Sequence, residues 1–245
     1  MIPDNILVFG LVVVLAIIQS LFGMGILIIG TPTLLLMGYD FITTISYLLP
    51  ASFIISLIQV VTAGNDRVTI PRYLYYYCLP GIGVGLYFAE SDWINFRINI
   101  LIGIMLLISA FIRLKPPSRK FLQILLKKYT LPYHLIMGLI HGLTNLGGAL
   151  LAILASGNSN KKESIRYIIA HYYLAFTGIQ LLLITVLTKN YEIIISNFFT
   201  PIVAAAVYFL IGQRIFTLTS PLVYNKILTI LLAIYGCIIL INIRP

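Results

Sequence analysis

Runs of about 20 apolar residues, the length that crosses a bilayer as one helix, recur along this chain from Ile6 to Ile243, and the longest interruption is Arg113–Thr130. A soluble domain keeps roughly a quarter of its residues charged, because its surface must face water. Here 60% of the 245 residues are hydrophobic and 9% are charged, with a mean hydropathy of +1.03. Only helices or closed barrels satisfy backbone polar groups inside lipid. The chain therefore reads as an all-α polytopic membrane protein of about 8 to 10 membrane helices, one transmembrane domain over residues 1–245. Met1–Asn5 lack the basic segment of a cleaved leader, so the first helix is expected to stay.

The formal net charge of +9 reads as topology rather than as a nucleic-acid surface, since each Lys and Arg sits in a loop or at a helix end. Cys78 and Cys237 lie alone in apolar segments and read as buried small hydrophobes, with no disulfide framework. Apolar segments are predicted at 5–22, 24–37, 41–63, 71–89, 95–112, 132–143, 146–156, 163–187, 191–213 and 221–243. Between the fifth and sixth, the linker 114–131 places Phe121, Leu122, Leu125, Leu126 and Tyr129 on one helical stripe. Lys120, Gln123, Lys127 and Lys128 fall largely opposite, the pattern of a basic amphipathic helix lying on an anionic cytoplasmic membrane surface.

The linker separates two halves, 5–113 and 132–243, whose features follow the same order. Each opens with an apolar segment broken at its middle, at Phe22-Gly23-Met24-Gly25 and at Thr144-Asn145-Leu146-Gly147-Gly148. Each continues with a helix carrying polar groups at membrane depth, Ser46, Ser52, Ser56 and Gln59 against His171, Thr177 and Gln180. A small-residue helix and a plain apolar helix follow in both, which points to an internal duplication. If each broken segment were a single span, Lys and Arg would divide ten inside to six outside. If each is a hairpin, Arg67, Arg72, the six from Arg113 to Lys128, Lys161, Lys162, Arg166, Arg214 and Lys226 lie inside, and only Arg97, Lys189 and Arg244 lie outside. Thirteen against three obeys the positive-inside rule better, so two homologous, inverted halves with broken helical hairpins are expected.

A backbone break at membrane depth leaves amide and carbonyl groups to be satisfied by protein or water, and such breaks line cavities. The second arm of each hairpin starts near mid-membrane, and a helix start presents N–H groups with partial positive charge. Two starts facing each other make an anion site, for which the candidate binding residues are Gln19, Ser20, Gly23, Gly25 and Thr31 in one half and His141, Thr144, Asn145, Gly147 and Gly148 in the other. Gln19 and His141 stand at equivalent distances before their breaks and are expected to meet. Glycines that only permit close helix packing are the competing reading.

The apolar cores read as free of Lys, Arg, Asp and Glu, which leaves a cation path without its usual carboxylates. No zinc-binding His-Glu-x-x-His, buried Asp pair or Gly-x-Ser-x-Gly elbow is present, so no enzyme, cofactor or metal is expected. The remaining readings are a secondary transporter for a small anion and a non-transporting membrane scaffold or complex subunit. Expected partners are a small anionic substrate and the lipid bilayer, with no nucleic acid; a homodimer is compatible with either reading.

The run Gln19-Ser20-Leu21-Phe22-Gly23-Met24-Gly25, continued by Gly30-Thr31-Pro32, resembles the opening motif of the sulfite exporter TauE/SafE family. Gly138-Leu139-Ile140-His141-Gly142 through Gly147-Gly148 is similar to its second-repeat motif, and Gly81-x-Gly83-x-Gly85 and Ile211-Gly212-Gln213-Arg214 fit as well. The usual three glycines are thinned to Gly23 and Gly25, Asn145 stands where glycine is common, and the proline after the second motif is missing from Ala152–Ser156. The resemblance implies a multi-pass transporter of the cell membrane that moves small sulfur-containing anions, such as sulfite or sulfonates, usually outward.

Overall fold

Gly23 ends the first helix because its φ of +73° is a left-handed conformation that turns the chain, while its amide still donates to the Gln19 carbonyl at 2.7 Å. The computed structural model describes residues 4–89, 100, 103–104, 106–108, 110–111, 114, 119–159, 161–188 and 199–241. Helix α1 (Asp4–Phe22) is followed, after the turn at Gly23–Gly25, by α2 (Ile26–Leu36). Helix α3 (Phe41–Thr62) starts on Asp40, whose Oδ1 accepts the Thr43 amide at 2.9 Å. A π-helical turn (Leu74–Cys78) leads into α4 (Leu79–Ala89). The linker forms α5 (Arg119–Lys128), then come α6 (Thr130–Thr144) and α7 (Gly148–Asn158). The long α8 (Lys162–Thr188) is followed by α9 (Phe199–Val207), a second π-helical turn (Tyr208–Gly212), α10 (Gln213–Leu218) and α11 (Pro221–Ile241).

Every regular element among the described residues is helical. Phe41–Thr62, Lys162–Val186 and Phe199–Leu218 are long and apolar enough to cross a membrane. The arms of the two broken segments are shorter, because the chain turns inside the bundle. Of the expected segment 95–112 only scattered positions are described. Among these, Leu107 packs on Gly236 of α11, while Gly103 packs on Leu240. Met1, Arg97, Arg113, Lys115, Lys189 and Arg244 lie outside the described residues.

Both broken segments are antiparallel hairpins. A methyl built on Gly25 would lie 2.7 Å from the Gln19 nitrogen, and one on Gly30 would lie 2.7 Å from Leu15 Cδ1, so α2 runs back along α1. Likewise a methyl on Gly147 would lie 2.6 Å from His141 Cβ, and the Tyr133 hydroxyl donates to the Leu150 carbonyl at 2.6 Å. The hairpins enter from opposite ends of the bundle. Phe9 stacks on Phe199 and Ser20 abuts Gly212, which puts the mouth of α1–α2 at the Phe199 end. Lys162 donates to the carbonyls of Phe216 and Thr219, each at 2.8 Å, which puts the mouth of α6–α7 at the Leu218 end.

Close glycine contacts fix α6 on α4. Methyls on Gly81 and Gly85 would strike the backbone at Leu135–Leu139 and Leu139–Leu143, and one on Gly142 would strike the Ile82 carbonyl. Two parallel helices thus touch backbone to backbone through glycines four apart on each, the small-residue crossing that van der Waals packing favours in lipid.

One residue of the linker helix departs from the expected pattern. Leu126 is buried and Gln123 Nε2 donates to the Gly157 carbonyl at 3.1 Å, so Gln123 faces the protein rather than the polar side. The last carbonyls of a helix point beyond it, and the one of Gly157 takes this amide from across the bundle. Leu125 and Tyr129 stay exposed. Cys78 is buried as expected, but Cys237 is exposed, because α11 turns that face outward.

Candidate functional site

The second hairpin tip lies about halfway through the bundle, since Tyr173, against it, is about 17 Å along α8; the first reaches past the middle of α3, with the Gln19 side chain at Ser52, about 17 Å along that helix, and the Ser20 carbonyl at Gln59, about 27 Å along it. In the first tip the Gln19 side chain is fully engaged. Its Nε2 donates to the Ser52 carbonyl at 3.0 Å, to Ser52 Oγ at 2.9 Å and to Ser56 Oγ at 3.2 Å, while its Oε1 accepts the Ile26 amide at 3.2 Å. Gln59 Nε2 donates to the carbonyls of Gln19 and Ser20 at 3.1 and 3.2 Å. Ser20 Oγ bonds back to Ala16 at 2.6 Å, so only its carbonyl takes part.

In the second tip Asn145 repeats the role of Gly23. Its φ is +62° and its amide donates to the His141 carbonyl at 2.7 Å. Asparagine is among the few side chains that tolerate this conformation. His141 bonds Gln180 Oε1 through Nε2 at 3.2 Å, with its ring centroid 4.4 Å from that of Phe176. Thr144 Oγ1 donates to Ile140 at 2.6 Å and accepts the Leu146 amide at 3.2 Å. Gly147 caps α7, and a methyl on Gly148 would fall on the Tyr173 hydroxyl and 2.7 Å from Ile28 Cδ1.

The tips are joined by one direct bond, from Asn145 Nδ2 to Thr31 Oγ1 at 2.8 Å, with both residues fully buried. Gln19 and His141 do not hydrogen-bond each other as expected; they turn away to α3 and α8. Nor are the helix starts bare, because Gln19 and Thr144 each cover one amide. Among the described residues the N–H groups of Leu27 and Ile28 on α2, and of Gly148 and Leu150 on α7, have no acceptor.

Two residues were missed from the sequence. Tyr173 lies one turn before Thr177 and two before Gln180, and it repeats on α8 the spacing of Ser52, Ser56 and Gln59 on α3. That spacing was the available signal. Arg166 corrects the expectation of a core free of charge. Half-buried one turn into α8, it donates from Nη1 to the Ser20 carbonyl at 3.2 Å and to Gln213 Oε1 at 3.0 Å, and stacks 3.4 Å over the Phe216 ring. A cavity of about 240 Å³ opens beside it, lined by Gln59, Asp66, Lys162, Arg166, Gln213 and Phe216. Another, of about 350 Å³, lies between the 67–71 loop, Leu154 and Tyr172. Elsewhere the Tyr75 hydroxyl and His171 Nε2 are 2.9 Å apart, and His134 bonds Tyr172 at 2.7 Å. No group of three metal-binding side chains occurs among the described residues.

Comparison with known proteins decides what kind of membrane protein carries these two hairpins. The family model of the sulfite exporter TauE/SafE matches residues 7–239, nearly the whole chain. The chain belongs to this family. No curated protein and no solved structure matches it. As a TauE/SafE member it is a membrane transporter of the sulfite or anion exporter type, in keeping with its apolar spans.

Proposed function

We propose that this TauE/SafE protein is a multi-pass secondary transporter of the cell membrane that exports a small sulfur oxyanion, of the sulfite or sulfonate class, bound between its two hairpin tips. The observation that carries this is the Thr31–Asn145 contact at 2.8 Å, where hairpins from opposite ends meet with unpartnered buried amides on both helix starts. Such amides favour an anion, and polar groups at membrane depth mark solute paths. The halves 5–113 and 132–243 form an inverted repeat. Supporting it are the left-handed caps at Gly23 and Asn145, each bonding four residues back, and the shared spacing of Ser52, Ser56 and Gln59 with Tyr173, Thr177 and Gln180.

Transport then follows from rocking one hairpin and its packed helices against the other, which breaks and remakes the Thr31–Asn145 contact. The Arg166 cavity serves as the cytoplasmic vestibule, since it lies with Lys161, Lys162 and Arg214 at the basic end. Its guanidinium concentrates anions there, and the Ser20 carbonyl links it to the first tip. Thermal denaturation of the purified chain tests the reading with sulfite, sulfoacetate, taurine and unrelated carboxylates. A ligand that binds only the folded state raises the midpoint. Sulfur oxyanions are expected to do so; no shift with any anion would favour a scaffold instead.

A further inference from the structure

The two tips are unequal in their hydrogen-bond accounts. Among the described residues beside the first tip Gln59 Oε1 alone is without a partner and every polar atom of the Gln19 side chain is engaged, but around the second tip four buried atoms have no partner: Tyr173 hydroxyl, Gln180 Nε2, His141 Nδ1 and Asn145 Oδ1. All four residues are 0% exposed. They are neighbours. Asn145 closes the helix turn on His141, His141 bonds Gln180 and lies 5.9 Å from the Tyr173 ring, and the Tyr173 hydroxyl rests on Gly148. An unmet buried polar atom is costly, and four together in one place call for a ligand that meets them.

The chemistry of the four is mixed. The Gln180 carbonyl takes the His141 Nε2 proton, which leaves Gln180 an amide donor and His141 Nδ1 a lone pair. With the amide turned over, His141 Nδ1 carries the proton and Gln180 offers the carbonyl, so the pair presents one donor and one acceptor either way. Tyr173 adds a hydroxyl donor beside the free amide of Gly148.

We infer that the second hairpin and α8 form a subsite for a small oxyanion that itself carries a hydrogen-bond donor. Tyr173, Gln180 and the Gly148 amide donate to its oxygens, and an acceptor from the His141–Gln180 pair or Asn145 takes its O–H or N–H. A singly protonated sulfite or an aminosulfonate fits this set, whereas an oxyanion bearing only acceptors leaves the acceptors unmet. The inference rests on the proposed binding of anions between the tips and assigns the selective part to one side of that site.

Sulfamate and methanesulfonate separate these cases, since both are single-charge sulfonates of like shape and only sulfamate has N–H donors. Calorimetric titration of the full chain in detergent is expected to show sulfamate binding about tenfold tighter, the worth of one hydrogen bond. Tyr173→Phe is expected to weaken both by a similar factor, because it removes a donor they share, and Asn145→Gly serves as a second variant that brings sulfamate toward methanesulfonate. Equal affinities in the unaltered chain, or a Tyr173→Phe variant with melting point and both affinities unchanged, would overturn the subsite while leaving the transporter reading standing. Failure of sulfite, sulfamate and methanesulfonate alike to bind would overturn both.

Discussion

Gly23 and Asn145 hold the same left-handed backbone at the same place in their hairpins, yet they respond differently to replacement. A methyl on Gly23 would lie 3.1 Å from both the Arg166 carbonyl and Ile169 Cγ2, so Gly23→Ala adds crowding to a strained φ. At Asn145 the strain is already borne, and the side chain contributes the 2.8 Å bond to Thr31. Asn145→Gly loses the bond but relaxes the backbone; Asn145→Ala loses the bond and keeps the strain. Thermal melts in detergent are expected to place Asn145→Ala below Asn145→Gly by about 1 kcal/mol, with Gly23→Ala below the unaltered chain by at least as much. All ten candidate residues were named from sequence, because breaks in apolar runs are conspicuous. Their hydrogen bonds were not legible. Which amide Gln19 covers depends on how tightly α2 folds back, and Tyr173, one of 16 tyrosines, is marked only by the spacing it shares with Ser52.

At the scale of the helix, the glycines of α4 divide by face. Gly81 and Gly85 meet the α6 backbone, whereas a methyl on Gly83 meets only Leu183 Cδ1 at an ordinary 3.6 Å. Gly83→Ala is therefore expected to raise stability by about 0.5–1 kcal/mol, the helix-interior gain of alanine over glycine. Gly85→Ala is expected to lower it and to reduce the folded yield on size-exclusion chromatography. Equal effects at the two positions would contradict the parallel α4–α6 crossing. The Asp40 cap adds a dependence on acid. Burial raises its carboxyl, but hydrogen bonds from Thr43 outweigh that and hold it below the usual carboxylate range. The capping contribution, about 1 kcal/mol, is thus complete above the unfolded carboxyl's range and fades as pH falls through the lowered value. Unfolding midpoints of the native chain and Asp40→Ala should converge in strong acid. Elements were legible because apolar runs and glycine breaks mark them. The orientation of Gln123 was not, since the end of α7 that draws it in is remote in sequence.

For the molecule as a whole, the distribution of Lys and Arg favoured hairpins over single spans, and the antiparallel arms bear this out. Charge counting reads which side a loop faces, and so it can tell a hairpin from a span. It says nothing of which helices touch. The swap in which α1 packs on α9 and α10, while α6 packs on α4, leaves no mark in the sequence; Gly212 against Ser20 and Gly142 against Ile82 carry it in the fold. Arg166 shows the same limit. A basic residue at the start of an apolar run reads as a cytoplasmic anchor, and only the fold brings it to the Ser20 carbonyl beside the first tip. The meeting of the two tips is tested most directly by isotope-labelled sulfite leaving proteoliposomes that hold the purified chain, alongside Thr31→Val, which removes the acceptor of the bond between the hairpins. Saturable efflux that falls at least tenfold in Thr31→Val is expected. Efflux no faster than from empty vesicles, or undiminished in Thr31→Val, would contradict a transport site between the tips.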